Sequence, residues 1–436
     1  MALLTATPTP AVAVRPGRGI RATVASALGF TLDFYDLYVA VFVAPVIAHV
    51  FFPGGNKMLS LAAAFGTLAA TLLMRPVGAA LMGGIADRYG RRTAMIVSLL
   101  GVGTVTALTG TLPTQAAAGV LAPILLLTFR LAQGLFVGGV FASTLTLAIE
   151  TVRPRWRGLV SGVVGGGGTT VGSVLASLSF LAATQLFPGA AFDEWGWRAM
   201  FFAGGLPVLL SLFVLRFVDE SPLFVPGQSN GHPVRAVFTR RYRWLLILNI
   251  PIVFGIATHF LLSIGFLPTY LQVVNHLPVS TVSRMLVLVN LATLAFAPLT
   301  GHLSQVLGRK RVMLSVAIIN TAVLPVLYWR LSHLHGGSML IPIVAVSVLV
   351  SCLTVAAFGS LPVFLNERFP TAIRASGVAL SINIGFAVAG LVPTTVNALS
   401  GSVERLPMFT IGALIIAGLA TIIGLSRTTE PDRTLG

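Results

Sequence analysis

Twelve long apolar runs follow one another along this 436-residue chain, and they constrain its fold more than any other feature. Each is near or above the ~20 residues that carry an α-helix across a bilayer. They lie at roughly 22–50, 60–85, 93–112, 118–149, 158–187, 198–217, 244–273, 282–304, 312–330, 339–365, 373–399 and 406–426. The runs are continuous and not alternating, which argues against a membrane β-barrel. Only 9% of residues are charged and 56% are hydrophobic, whereas a soluble domain carries about 25% charged residues. The 45 glycines and 25 prolines would break up a soluble helical protein. In a membrane both are common, and glycine lets helices approach closely. The single cysteine, Cys352, argues against a disulfide scaffold.

The formal net charge is +16, from 28 basic and 12 acidic residues. In a chain this apolar the excess does not indicate nucleic acid. Alternation of the runs puts 21 of the 28 basic residues on the side of the N-terminus and 5 on the other, leaving Arg75 and Arg130 inside spans. By the positive-inside rule both termini are expected in the cytoplasm, in a multi-pass protein of the plasma (bacterial inner) membrane. The excess charge then serves orientation and contact with anionic lipid headgroups. Residues 1–21 carry Arg15, Arg18 and Arg21 but no apolar core, so the first span is read as retained and not as a cleaved signal.

The chain also repeats itself. Gly83-Gly-Ile-Ala-Asp87-Arg88-Tyr-Gly90-Arg91-Arg92 lies between spans 2 and 3, and Gly301-His-Leu-Ser-Gln305-Val-Leu-Gly308-Arg309-Lys310 lies 218 residues later between spans 8 and 9. A second pair, Glu150 with Arg157 and Glu367 with Arg374, recurs at 217. Two pairs at nearly one offset indicate a duplicated six-span unit. The expected organisation is a cytoplasmic tail at 1–21, a six-helix bundle at 22–217, a linker at 218–243, a second bundle at 244–426 and a tail at 427–436. Such a duplication is the layout of a transporter whose halves rock around a midplane site.

Over nearly its whole length the sequence resembles the major facilitator superfamily. Gly83–Arg92 is similar to that superfamily's signature loop, and Arg130-Leu-Ala-Gln133-Gly134-Leu-Phe-Val-Gly138-Gly139 to its fourth-helix motif. Asp33-Phe-Tyr-Asp36, Met74-Arg75-Pro76-Val-Gly78, Trp195-Gly-Trp197-Arg198 and Asp219-Glu220-Ser221-Pro222 resemble the metabolite:proton symporter (organic acid) family, although Val140 stands where that family usually has an acid. The resemblance implies an all-α membrane fold of twelve helices in two pseudo-symmetric bundles, with spans 1, 4, 7 and 10 around the cavity.

An ionisable group within a span costs about 2.5–3.5 kcal/mol on insertion scales, so each calls for a reason. Asp33 lies ~16 Å into span 1 and Arg130 ~18 Å into span 4, both near the midplane. Asp36 is three residues from Asp33 and shares a similar face. These acids are candidates for a proton site coupled to Arg130, with Asp33 favoured; a buried structural ion pair is the competing reading. Arg75, followed by Pro76, competes for the same acids. Gln133, His259 and Asn383 are further candidates for binding substrate, with Asn290 weaker; each could instead serve as helix-to-helix glue. The glycines between Gly162 and Gly172 indicate close contact of span 5 with span 8 or span 1, and not a phosphate loop.

Asp87, Arg88, Arg91, Arg92, Glu150, Arg157, Glu367 and Arg374 are expected to form a cytoplasmic gate of caps and ion pairs. Gln305 replaces the acid in the second half, so a stronger latch is expected in the first. The functional expectation is proton-coupled symport of a small organic anion, a carboxylate, by a monomer that uses the proton gradient and no cofactor or metal. Alternatives are a proton/drug antiporter, a symporter of a sugar or zwitterionic osmolyte, and a non-transporting sensor or enzyme. Span 5 lacks the Gly-Pro pair typical of the superfamily's antiporters, and no nucleophile–base pair supports an enzyme.

Overall fold

The computed structural model describes residues 18–150, 154–217, 237–240, 242–336, 339–370 and 373–431. All regular structure among the described residues is helical, and the helices group into twelve units. Span 1 is Arg18–Phe42 continued, after a 56° bend, by Ala44–Phe51. Lys57–Tyr89, Arg91–Thr109 and Leu121–Glu150 are spans 2, 3 and 4. Span 5 joins Arg157–Ser161 to Gly168–Leu186 through a π-helical stretch, Gly162–Gly167. Span 6 is Trp197–Ala203 with Leu206–Phe217. Span 7 runs through Arg243–Phe260, a π-helical stretch at Leu261–Gly265, and Leu267–Val273. Span 8 is Val279–Thr293 with Phe296–Leu307. Arg309–Ser332, Leu340–Arg368, Arg374–Ser400 and Leu406–Ser426 are spans 9 to 12.

Ten of these units are long and apolar enough to cross a bilayer, and bent span 1 makes an eleventh. Span 6 is interrupted at Gly204–Gly205, so neither piece reaches that length alone. The bend in span 1 falls where Pro45 enters the first turn of Ala44–Phe51, a position that tolerates its missing N–H. Residues 1–17 of the expected first tail, most of the expected linker and residues 432–436 lie outside the described residues.

Glycines explain how spans 2 and 4 meet. A Cβ on Gly78 would collide with the Leu135 carbonyl, and one on Gly138 with the Arg75 carbonyl. The two helices therefore pack backbone against backbone, as small residues allow in membranes. The sequence leaves span 8 and span 1 as alternative neighbours for the glycines of span 5, and the structure uses both. Gly162 meets Pro298 and the Ala297 carbonyl of span 8, while Gly172 meets Thr31 and Phe34 of span 1.

Polar contacts join the two halves at both faces. On the face that holds both ends of the described chain, Ser161 Oγ donates to the Gly359 carbonyl at 3.1 Å and accepts from the Val363 N–H at 3.1 Å. On the opposite face Asn56 Nδ2 donates to the Gly401 carbonyl at 3.2 Å, and the Thr184 and Ser283 hydroxyls are 2.9 Å apart. Between the faces, rings fill the seam. Phe260 of span 7 lies 5.7 Å from both Phe34 and Tyr38 of span 1, 5.0 Å from Phe358 of span 10 and 6.2 Å from Phe386 of span 11. The structure is thus an occluded form, bridged at either end and packed with aromatics between.

Candidate functional site

Span 1 presents two faces with different chemistry. Phe34 and Tyr38, four residues apart, look onto the seam, while Asp33 and Asp36 turn into their own bundle. This follows from the 3.6-residue period, since Asp36 is more than 150° around the helix from Phe34 and Tyr38. Both acids are buried, at 4% and 3% exposure.

Asp33 pairs with Arg75 of span 2, with Oδ1 3.1 Å from the guanidinium and both side chains buried. The expected partner was Arg130, and here the structure corrects the sequence reading. Glycine contacts hold span 2 against span 4, and from span 2 the Arg75 guanidinium reaches Asp33. Asp33 Oδ2 is buried with no hydrogen-bond partner.

Asp36 occupies the other half of the cluster. Its Oδ1 accepts from Thr106 Oγ1 of span 3 at 2.8 Å, and its Oδ2 accepts from Gln133 Nε2 of span 4 at 2.7 Å. Gln133 Oε1 in turn accepts from Arg130 Nη1 at 2.8 Å. Arg130 interacts electrostatically with Asp36 and stacks over the Phe201 ring of span 6 at 5.1 Å. Five of the sequence-predicted site residues, Asp33, Asp36, Arg75, Arg130 and Gln133, therefore meet in one bundle. Two carboxylates face two guanidinium groups, and the cluster as a whole is neutral. Thr106, which ties span 3 to it, carries no signal in a single sequence.

The remaining candidates lie apart. His259 of span 7 is 2% exposed and its Nε2 is 2.9 Å from the Leu414 carbonyl of span 12, beside a small cavity that Asn320 and Thr421 help to line. Asn383 of span 11 is buried with no partner for its Nδ2. Asn290 donates to Ser177 Oγ across the halves at 2.7 Å, as interhelical glue would. Among the described residues no cluster of three or more His, Cys, Asp or Glu could hold a metal.

At the gate, Arg309 of span 9 is fully buried, which its place in a basic cluster between two spans does not foretell. Nε and Nη2 both reach the Glu367 carboxylate at 3.1 Å, a bidentate pair, and Nη1 donates to Ser304 Oγ at 3.0 Å. Gln305 accepts from Arg309 and also from the Gly158 N–H, at 3.2 Å, at the start of span 5. The neutral glutamine thus carries a cap across the halves. Glu430, past span 12, accepts from the first N–H groups of span 9, at 2.5 Å from Arg309 and 3.1 Å from Lys310. Arg374 donates to the Phe369 carbonyl at 3.2 Å, and Arg88 lies over the Tyr89 ring at 5.3 Å. Arg92 is half-buried, and Arg157 opens the first helix of span 5. The side chains of Asp87, Arg91 and Glu150 lie outside the described residues.

Comparison with known proteins agrees with this architecture. The Major Facilitator Superfamily profile matches residues 26–393. The chain is 30% identical over 370 residues to the inner membrane metabolite transport protein YhjE of Escherichia coli (strain K12), covering 83% of each. It is 28% identical to the proline/betaine transporter of Salmonella typhimurium, over 96% of this chain and 85% of that one. It is also 28% identical to the citrate-proton symporter of Klebsiella pneumoniae, over 88% and 86%. A crystal structure of a D-xylose-proton symporter superposes with a TM-score of 0.71 at 19% identity, covering 96% of this chain and 99% of that one, which shows a shared fold. With its two six-helix bundles and a family profile over most of its length, the chain belongs to the Major Facilitator Superfamily and is a multi-pass membrane transporter, not an enzyme.

Proposed function

We propose that this transporter carries a small carboxylate together with a proton, by alternating access, and that its terminal face lies in the cytoplasm. The observation that carries the reading is the neutral buried cluster of Asp33, Arg75, Asp36 and Arg130. A charge taken out of water needs a partner. One proton on Asp33, whose Oδ2 is open, leaves the cluster with one uncompensated guanidinium charge. One carboxylate then restores neutrality, and an arginine fork suits it bidentately. Proton and anion thus enter as a pair, and the loaded form can rock closed with no net charge gained. The citrate in one relative's name bears carboxylates, which supports the same choice.

The test is uptake into proteoliposomes under an inward proton gradient, with citrate and betaine as probes. Wild type accumulates a carboxylate uphill, whereas Asp33→Asn loses accumulation and keeps exchange of internal for external substrate. Normal accumulation by Asp33→Asn would sink the proton role.

A second reading, a zwitterionic substrate, is favoured by the proline/betaine relative. Charge counting separates the two. A zwitterion with a proton carries one net positive charge inward, so membrane potential alone drives its uptake. A monoanion with one proton moves electroneutrally.

A further inference from the structure

Arg368 ends span 10 at the terminal face. Its neighbour Glu367 is taken by Arg309. Among the described residues no carboxylate pairs with Arg368; its one hydrogen bond runs from Nη1 to Asn249 Oδ1 of span 7, at 2.6 Å. Asn249 is fully buried, and its Nδ2 donates to Ser381 Oγ of span 11 at 3.3 Å, which sets the direction of the amide. The Phe364 ring lies 5.3 Å from the guanidinium carbon. Spans 7, 10 and 11 are those whose Phe260, Phe358 and Phe386 pack together deeper in the seam.

A half-buried charge is ordinarily paired, and an arginine offers five N–H donors in a rigid fork. Here a neutral amide and an aromatic face orient the fork, and among the described residues no carboxylate balances its charge. Attraction to the C-terminal end of span 10 accounts for a cation in the last turn, yet not for the ordered amide and hydroxyl beneath it. The internal repeat sharpens the point. The residue 217 positions earlier is Thr151, so the Glu-and-Arg pattern shared by the halves does not require a cation here.

We propose that Arg368 is an anion subsite at the terminal-face mouth of the seam, where a carboxylate substrate docks on the way in or out. The proposal rests on the reading of the protein as a carboxylate transporter. It is tested by sidedness in reconstituted vesicles, with citrate and betaine as probes. Arg368→Gln should raise the half-saturating concentration on the terminal face about tenfold while leaving that on the opposite face within twofold. Arg368→Lys, which keeps the charge but not the fork, should fall between. An equal change at both faces, or none, overturns the subsite.

If wild type carries neither probe, the transport reading fails for them and binding decides the subsite separately. Thermal stabilisation of the detergent-solubilised protein by citrate should need at least fivefold more citrate in Arg368→Gln. Equal stabilisation of both proteins, or none of either, overturns it. Stabilisation by phosphatidylglycerol but not citrate, lost in the variant, would assign the fork to a lipid phosphate and overturn the substrate subsite. Should Arg368→Gln fail to fold, Arg368→Lys serves in both assays, with a threefold change expected and no change overturning the proposal.

Discussion

Asp33 and Arg75, forty-two residues apart in sequence, form a buried ion pair at 3.1 Å between spans 1 and 2. Removing one member of such a pair strands the other charge, at a cost of about 3–5 kcal/mol. Asp33→Asn and Arg75→Gln should therefore each lower the melting temperature of the purified protein. The double variant strands nothing and should melt above Arg75→Gln. A double variant less stable than either single one would mean that the pair is not the unit that matters.

Gln133 bridges Asp36 to Arg130 with both ends of its amide in use. Gln133→Leu keeps similar bulk and removes these two bonds and a third, from Nε2 to Thr106 Oγ1, leaving buried polar groups unpaired at about 1–3 kcal/mol each. Uphill uptake should fall at least tenfold, while Gln133→Asn, shorter by one methylene, should fall less. Transport by Gln133→Leu at the wild-type rate would exclude the bridge from the mechanism.

Close packing of span 2 on span 4 predicts a sharp contrast between two glycines. Gly78→Ala places a methyl against the Leu135 backbone and should cut the yield of folded protein severalfold. Gly84→Ala, in the same helix, meets open space and should leave the yield unchanged. Size-exclusion profiles after detergent extraction measure both.

The contact between Ser161 and span 10 joins the halves on the terminal face, and Arg309 with Glu367 holds the loop beside it. Ser161→Ala removes two hydrogen bonds, each worth about 0.5–1.5 kcal/mol. It should shift the population toward the form open at that face. Glu367→Gln should do so more strongly, because it strands buried Arg309. Spin-label distances between the terminal-face ends of spans 5 and 10 should lengthen in both variants. Unchanged distances would remove these contacts from the gate.

Much of the fold is legible in the sequence because a bilayer allows so few solutions. Runs of about twenty apolar residues must be helices there, since no water satisfies a bare backbone. The repeat of Glu150 and Arg157 as Glu367 and Arg374 discloses two related halves. Span 6, broken at two glycines, shows where a run of apolar residues and a continuous helix part company.

Rarity also marked the site, because ionisable groups in lipid are costly. Asp33, Asp36, Arg75 and Arg130 stand out in the sequence, but their pairing does not. Either arginine is deep enough to reach either acid, and the choice depends on glycine contacts that set spans 2 and 4 in register. The tertiary structure also decided what the second signature loop does. As a string, Gln305 is a lost acid; in space, it caps span 5 and orders Arg309. Which residues must be buried follows from the apolar solvent and is local to each helix. Which buried charge answers which depends on rotation and register between helices, and those arise only when the helices pack.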